Sequence, residues 1–371
     1  MNPDVIDLLT DLVAIDSVNP SLVAGAAGER AIAHHVADWA TRSGLRVEMV
    51  ERPAGRPSVI MRGGRGDGPT LLICGHLDTV GIDGMTDPFT PRVDGDRLYG
   101  RGAYDMKGGL AAALIACRAA QDVHGQIVVA AVADEEHASL GVQEILTHVR
   151  ADAAVVTEPT ERKIATAHKG FVWTEIEVTG RSAHGSRPHL GIDAITKTGP
   201  ILLALDTLDR ELAGRRTHPT LGPGTLHASL ITGGREESTI PGRCVLTVER
   251  RTLPGETVAE VEADMARVLQ RCCDADPQLV VTSRTTLSRE PFETSTDAPV
   301  VRALAAVTAS DPTPAGVSYW ADSAFISAAG IPTVLFGPDG DGAHAEQEWV
   351  SISGTIECAR TLTALARDLC G

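Results

Sequence analysis

Thr70-Leu-Leu-Ile-Cys-Gly-His-Leu-Asp78 is the stretch that decides the fold. Its nearly continuous apolar run, closed by Gly75, has strand length and suits a central strand buried on both faces, as in parallel sheets. His76 and Asp78 follow at its C-terminal end, where open α/β sheets place their sites. Downstream, Gly108 to Ala120 is rich in Ala and Leu and has helix length. Gln126 to Ala133 is a second buried-strand run, ending in Asp134-Glu135-Glu136, and Ala153 to Thr157 a third, ending in Glu158-Pro159. Upstream, Leu9 to Ile15 and Ala31 to Trp39 have helical spacing, and Arg46 to Val50 and Val59 to Met61 read as short strands. Strand, helix, strand, with acidic residues at strand ends, indicates an α/β domain with a mostly parallel sheet.

From Phe171 the pattern changes. Val172 to Val178 alternates as a half-exposed strand, Ile192 to Leu212 is helical, and Thr225 to Ile231 and Arg243 to Val248 are strands. Glu256 to Cys273 is helical again and Leu279 to Ser283 is a last strand. The order βαββαβ predicts a small antiparallel α+β domain of ferredoxin-like type. Apolar runs return afterwards, notably Pro332 to Phe336. The expected organisation is a large domain in two parts, 1–170 and 286–371, with 171–285 inserted.

The 371 residues carry 33 Lys and Arg against 49 Asp and Glu, a formal net charge of −16. Scattered basic residues in an acidic chain argue against nucleic-acid binding, which needs clustered Lys and Arg. No apolar run reaches the ~18 residues of a membrane span, so no membrane association is expected. Met1-Asn2-Pro3-Asp4 lacks the charged and apolar segments of a secretory signal, which predicts a cytoplasmic protein. Seven cysteines without CxxC spacing read as free thiols in a reducing compartment. Any metal must then use His and carboxylates.

Five positions point to such a metal. His76-x-Asp78 has the form of an imidazole whose second N–H is held by a carboxylate, though a His and an Asp also pair in ordinary loops. Gly100-Arg-Gly-Ala-Tyr-Asp105-Met-Lys-Gly-Gly109 surrounds one acidic residue with glycines at a helix start. Asp105 there is either an N-cap or a carboxylate presented to two cations. Adjacent carboxylates after a buried strand, as in Asp134-Glu135-Glu136, repel each other unless a proton or cation intervenes. Glu158 follows the next strand and His344 the last apolar run, and either could be a plain turn residue. Bland readings must hold independently at all five positions, whereas a metal explains them together. With Asp105 bridging, each of two ions receives Asp105, one His and one Glu, leaving room for water as in a catalytic site. Phosphate binding fits less well, because no GxxxxGK[ST] or post-strand GxGxxG is present.

At these motifs the sequence resembles the di-zinc amidohydrolase and peptidase family of acetylornithine deacetylase, succinyl-diaminopimelate desuccinylase, aminoacylase and glutamate carboxypeptidase. The carrying motifs are Gly75-His-Leu-Asp-Thr79, Gly100-Arg-Gly-Ala103, Asp105-Met-Lys-Gly-Gly109, Asp134-Glu-Glu136, Glu158-Pro159, Gly180-x-x-Ala-His184-x-x-x-Pro188 and His344-x-x-x-Glu348. The resemblance implies a metallohydrolase domain with a lid that also forms a homodimer. It implies two Zn²⁺ per subunit, replaceable by Co²⁺ or Mn²⁺, with His76, Glu136, Glu158 and His344 as terminal ligands and Asp105 as bridge. Asp78 would orient His76, Glu135 would be the general base, and His184 would reach a substrate oxyanion. Arg251, with Arg250 adjacent, stands where relatives bind a substrate carboxylate.

Two departures bear on substrate. Ser238 stands where the family often has Asn, with a shorter reach. Ser323-Ala324 replaces an expected Gly-Arg, which weighs against succinyl-diaminopimelate and leaves Trp320 as an apolar wall. The expected reaction is hydrolysis of an N-acyl amino acid of the acetylornithine type by metal-activated water, with Glu135 acting first as base and then as acid. The alternatives are a dipeptidase or glutamate carboxypeptidase and, less favoured, a desuccinylase or a non-catalytic metal-binding protein.

Overall fold

The computed structural model describes residues 2–52, 54–309 and 311–371. Its contacts divide into two compact units. The first comprises residues 1–166, 294–315 and 321–371 and the second residues 167–293 and 316–320.

The first unit opens with helices α1 (Asn2–Val13) and α2 (Arg30–Arg42) and strands β1 (Arg46–Glu51), β2 (Pro57–Gly64) and β3 (Thr70–His76). Helix α3 (Gly108–Ala119), strand β4 (Gln126–Val132), helix α4 (Leu140–His148) and strand β5 (Ala153–Val156) follow. The sheet order is β1-β2-β4-β3-β5 and then Thr333–Leu335. The inner pairings β4/β3, β3/β5 and β5 with Thr333–Leu335 are parallel, and β1/β2 and β2/β4 are antiparallel.

The apolar run of β3 is buried from Leu71 onward, and β4 from Ile127 onward, because both are inner strands with covered faces. Helix α3 has no polar face to speak of, and its residues from Gly108 to Cys117 are all buried. That burial explains its Ala-rich composition, since small residues let it lie close to the sheet. Gly109 shows how close, for a Cβ there would stand 1.9 Å from the main-chain oxygen of Thr157, just after β5. The chain passes from β3 to β4 on one side and then to β5 on the other. The C-terminal ends of these three parallel strands therefore flank a switch point of strand order, the usual position of a site in such sheets.

The second unit contains β6 (Gly170–Thr179), α5 (Ala194–Arg215), β7 (Thr225–Gly233), β8 (Arg243–Thr252), α6 (Val258–Ala275) and β9 (Val280–Arg289). The sheet order is β7-β8-β6-β9, all antiparallel. Alternate residues of β6 and β8 are buried, as the sequence alternation requires. Helix α6 begins with a reciprocal capping box between Thr257 and Glu260. Strand β9 runs on to Arg289, and residues 316–320 return to this unit after a gap in sequence.

Candidate metal centre

His76 is the last residue of β3, paired in register with Val132 at the end of β4. Its Nδ1 lies 2.8 Å from the main-chain oxygen of Asp78. That contact assigns the proton to Nδ1 and leaves the Nε2 lone pair for a cation. Nε2 faces Asp105 Oδ1 at 3.2 Å and Glu158 Oε1 at 3.7 Å. The other oxygen of Asp105, Oδ2, lies 3.4 Å from Nε2 of His344, which is 3.2 Å from Glu136 Oε2. Two trios result, His76, Asp105 and Glu158, and Asp105, Glu136 and His344, each with its ligand atoms within 4.8 Å of one another. Donors on one tetrahedral Zn²⁺ stand about 3.3 Å apart, given bonds of ~2.0–2.2 Å, so each trio can close on an ion with small movements. Asp105 is common to both.

Local structure delivers these groups. Gly102 (φ +76) turns the chain, and Asp105 (φ −115, ψ 93) interrupts helical geometry just before α3. Glu158 leaves the end of β5. Asp134 adopts left-handed backbone (φ 68), which turns the chain sharply out of β4 and sends Glu135 and Glu136 in different directions.

The charge balance favours cations here. Burial raises the Glu135 and Glu158 carboxyls well above their usual range, opposed by His76 and reinforced by neighbouring carboxylates. Burial and Asp105 raise Glu136. Burial disfavours a charged His76, but the Asp105 hydrogen bond and the Glu158, Glu135 and Asp78 charges outweigh it and lift its pKa well above normal. Hydrogen bonds to Asp105 and Glu136 raise His344 to about 10. Without cations the cluster thus holds protons on groups that a metal needs deprotonated, and the two compete. Glu136 Oε1 is buried without a hydrogen-bond partner among the described residues. A buried, unpartnered carboxylate oxygen is costly, and a cation is the partner its surroundings suit.

The Asp78 carboxylate does something other than the sequence suggests. Its nearest oxygen is 3.9 Å from His76 Nδ1. It accepts instead the backbone N–H groups of Glu135 and Glu136, each at 3.1 Å, and Asn19 Nδ2 at 2.8 Å. The turn after β4 offers it donors, whereas His76 is already served by the main-chain oxygen. Asn19 also donates to Asp134 Oδ1 at 3.1 Å. Arg56 completes the chain, reaching Asp134 Oδ1 at 2.7 Å and Glu29 with two nitrogens at 2.6 and 2.7 Å. Sequence reasoning missed Asn19, Arg56 and Glu29. Asn19 had a signal in Ser17-Val-Asn-Pro20, a polar break after an apolar helix, and the other two had none.

The remaining expected residues lie in the second unit. His184 is exposed and pairs across a two-residue ladder with Thr239, and the adjacent Gly185 N–H donates to the Ser238 main-chain oxygen at 2.7 Å. His184 and Ser238 are therefore neighbours. Arg250 is 3% exposed and ion-paired with Glu256 at 2.7 Å. Arg251 is accessible, held by Glu249 at 2.6 Å, and lines a cavity of about 390 Å³ with Lys169, His227 and Tyr319. Burial thus separates two arginines that the sequence leaves equivalent. Trp320 is half-buried, set edge-on to His168 and Phe171, with Nε1 donating to the Glu290 main-chain oxygen at 3.0 Å.

The chain as a whole is similar to several known proteins. The model of peptidase family M20/M25/M40 matches residues 72–368. An acetylornithine deacetylase of Myxococcus xanthus is 32% identical over 322 residues, covering 84% of each chain. One from Aliivibrio salmonicida is 29% identical over 364 residues, 95% of this chain and 94% of that one. The crystal structure of aminopeptidase PepT from Bacillus cereus superposes with a TM-score of 0.79 at 17% identity, over 100% of this chain and 99% of that one. An M20 family metallo-carboxypeptidase from Sulfolobus solfataricus gives 0.78 at 18% identity, covering 98% of both chains.

Proposed function

The chain belongs to the M20/M25/M40 peptidase family, and from that premise we propose that it is a two-metal deacylase that cleaves the amide bond of an N-acyl amino acid. The carrying observation is the pair of ligand trios that share Asp105, with the half-buried Glu135 beside them, close enough for the His76, Glu158 and Glu136 charges to act on its carboxyl. Metal-dependent amide hydrolysis is the chemistry of the family. The acetyl-amino-acid substrate is the finer reading, supported by the curated relatives named acetylornithine deacetylase.

In this reading His76, Asp105 and Glu158 hold one cation and Asp105, Glu136 and His344 the other, with Zn²⁺ the expected ion and Co²⁺ or Mn²⁺ able to replace it. Bound there, the two cations supply Lewis acidity, lowering the pKa of a water and polarising the acyl oxygen. Glu135 takes the proton of the attacking water and returns it to the leaving amine. Burial suits it to that double task, since an enclosed carboxylate accepts a proton more readily than an exposed one. Asp78 holds the Glu135 and Glu136 backbone so that base and ligand keep separate directions. Of the second unit's residues, His184 is the proposed donor to the substrate oxyanion, Arg251 the proposed partner of the amino-acid carboxylate, and Ser238 and Trp320 proposed substrate contacts.

The second unit, residues 171–285 in the sequence-based division, serves as lid and dimerisation domain. Strand β7 is outermost in its sheet and exposes Leu230 and Ile231, at 67% and 54%, so it can pair with a second copy. All seven cysteines are free, which suits a reducing cytoplasm. Among the described residues, no helix is long and apolar enough to cross a membrane.

The test is hydrolysis of N-acetyl amino acids, succinyl-diaminopimelate and dipeptides by chelator-stripped protein before and after return of Zn²⁺ or Co²⁺. Metal-restored turnover of the acetyl-amino acids supports the reading, and turnover of dipeptides alone replaces it with a dipeptidase. No turnover of any substrate with two cations bound contradicts the deacylase reading and favours a binding protein.

A further inference from the structure

Glu348 is 1% exposed and reacts with nothing in the proposed chemistry, yet its carboxylate is saturated with donors. Oε1 accepts the backbone N–H groups of Tyr104 at 2.9 Å and Asp105 at 3.0 Å. Oε2 accepts the Gly102 N–H at 2.9 Å and Arg101 Nη1 at 2.8 Å. Arg101, 2% exposed, spends its other donors on two further loops. Nε reaches the main-chain oxygen of Gly81 and Nη2 that of Ala345, both at 3.0 Å. One buried ion pair therefore touches the loop that follows His76, the turn that carries Asp105 and the loop that carries His344.

A buried ion pair is weak evidence for stability, and its value here is geometric. Neither Asp105 nor His344 is fixed by a strand ladder. Asp105 sits outside helical geometry, and His344 has left-handed backbone (φ 61) with a side chain 54% exposed. His76 needs no such help, since it ends an inner strand and its Nδ1 is fixed by Asp78.

We propose that the Arg101–Glu348 pair positions the two-cation site, Glu348 setting the shared ligand Asp105 and Arg101 setting the loop of His344. The proposal rests on the metal reading above. Both residue types are required. A lysine at 101 can neutralise Glu348 but has no planar fork to reach Gly81 and Ala345 together. A glutamine at 348 puts an NH₂ against donors whichever oxygen it replaces, because both oxygens face donors only.

The experiment is a Co²⁺ titration of chelator-stripped full-length protein, read by visible absorption and equilibrium dialysis, on the wild type, Arg101→Lys, Glu348→Gln and His344→Ala. Melting of the cation-free proteins controls for folding. The wild type should take up two Co²⁺. Arg101→Lys should weaken one site by roughly 10- to 100-fold, as loss of a group that orients a ligand does, and its titration should follow that of His344→Ala. Glu348→Gln should weaken both sites, because both use Asp105. Wild-type Co²⁺ affinity in Arg101→Lys and Glu348→Gln, even with lowered melting temperatures, would mean a merely structural pair and overturn the proposal. Equal weakening of both sites in Arg101→Lys would overturn its assignment to the His344 loop. If Glu348→Gln fails to fold, Arg101→Lys alone decides. A wild type that binds no Co²⁺ contradicts the metal reading itself, and the proposal with it.

Discussion

The main-chain oxygen of Asp78 lies 2.8 Å from Nδ1 of His76, while the Asp78 carboxylate turns away to the backbone of the acidic turn. One residue thus orients a proposed ligand with its main chain and a proposed base with its side chain. The two functions separate by mutation. Asp78→Asn should keep the cation at His76, because the His76 contact does not involve the side chain, and should weaken the cation held with Glu136, whose N–H the carboxylate receives. Its amide should disturb Glu135 and Glu136, lowering kcat by roughly 10- to 100-fold with KM little changed. Metal analysis beside steady-state kinetics checks this, and loss of the cation at His76 would show that the carboxylate acts through the imidazole after all.

Arg56 is the only cation hydrogen-bonded to the buried carboxylates of Glu29 and Asp134 among the interactions described. Both carboxylate side chains are 0% exposed and the Arg56 side chain 11%. Arg56→Ala strands two buried charges, which should cost about 3–5 kcal/mol of stability. Chemical denaturation measures it, and an unchanged midpoint would mean that water or a shared proton already compensates them.

Asp96 gives the first unit an acid-sensitive contact. Burial opposes its charge, but Ser353 and Ser351 hydroxyls and the Ser353 N–H, at the start of helix Ile352–Cys370, outweigh that and lower its pKa. A carboxylate with a lowered folded-state pKa stabilises fully above its unfolded pKa of about 3.9, and the contribution is lost as pH falls through the lower folded value. Asp96→Asn should cost no more than about 1 kcal/mol near neutrality, and the difference from wild type should shrink below pH 4. A difference that grows with acid would contradict this sign.

Much of this was legible because apolar runs and chemistry-bearing residues coincide at strand ends. Leu71 to Cys74 and Ile127 to Val132 announce inner strands by having no polar face, and the groups after them, His76 and Glu136, are the ones that the sheet brings toward Asp105. The supporting contacts were not legible. Asn19, Arg56, Glu29 and Asp134 meet across 27 to 115 positions in sequence, and no local periodicity encodes such a meeting. Arg101 and Glu348 stood inside recognisable motifs, but a motif names residues and not which backbone N–H groups they receive. The return of residues 316–320 to the second unit has no compositional signal either, since that short segment neither alternates nor repeats.

The central claim is that Glu135 moves the proton in a metal-dependent amide hydrolysis, and the most direct measurement is the initial rate of Glu135→Gln against wild type on an N-acetyl amino acid at matched content of two cations. Glutamine keeps the size and the hydrogen-bonding end of the side chain but cannot accept the proton. Retained cations with a rate lowered by about 10²- to 10⁴-fold is the predicted result. A Glu135→Gln enzyme that turns over at the wild-type rate would contradict the account.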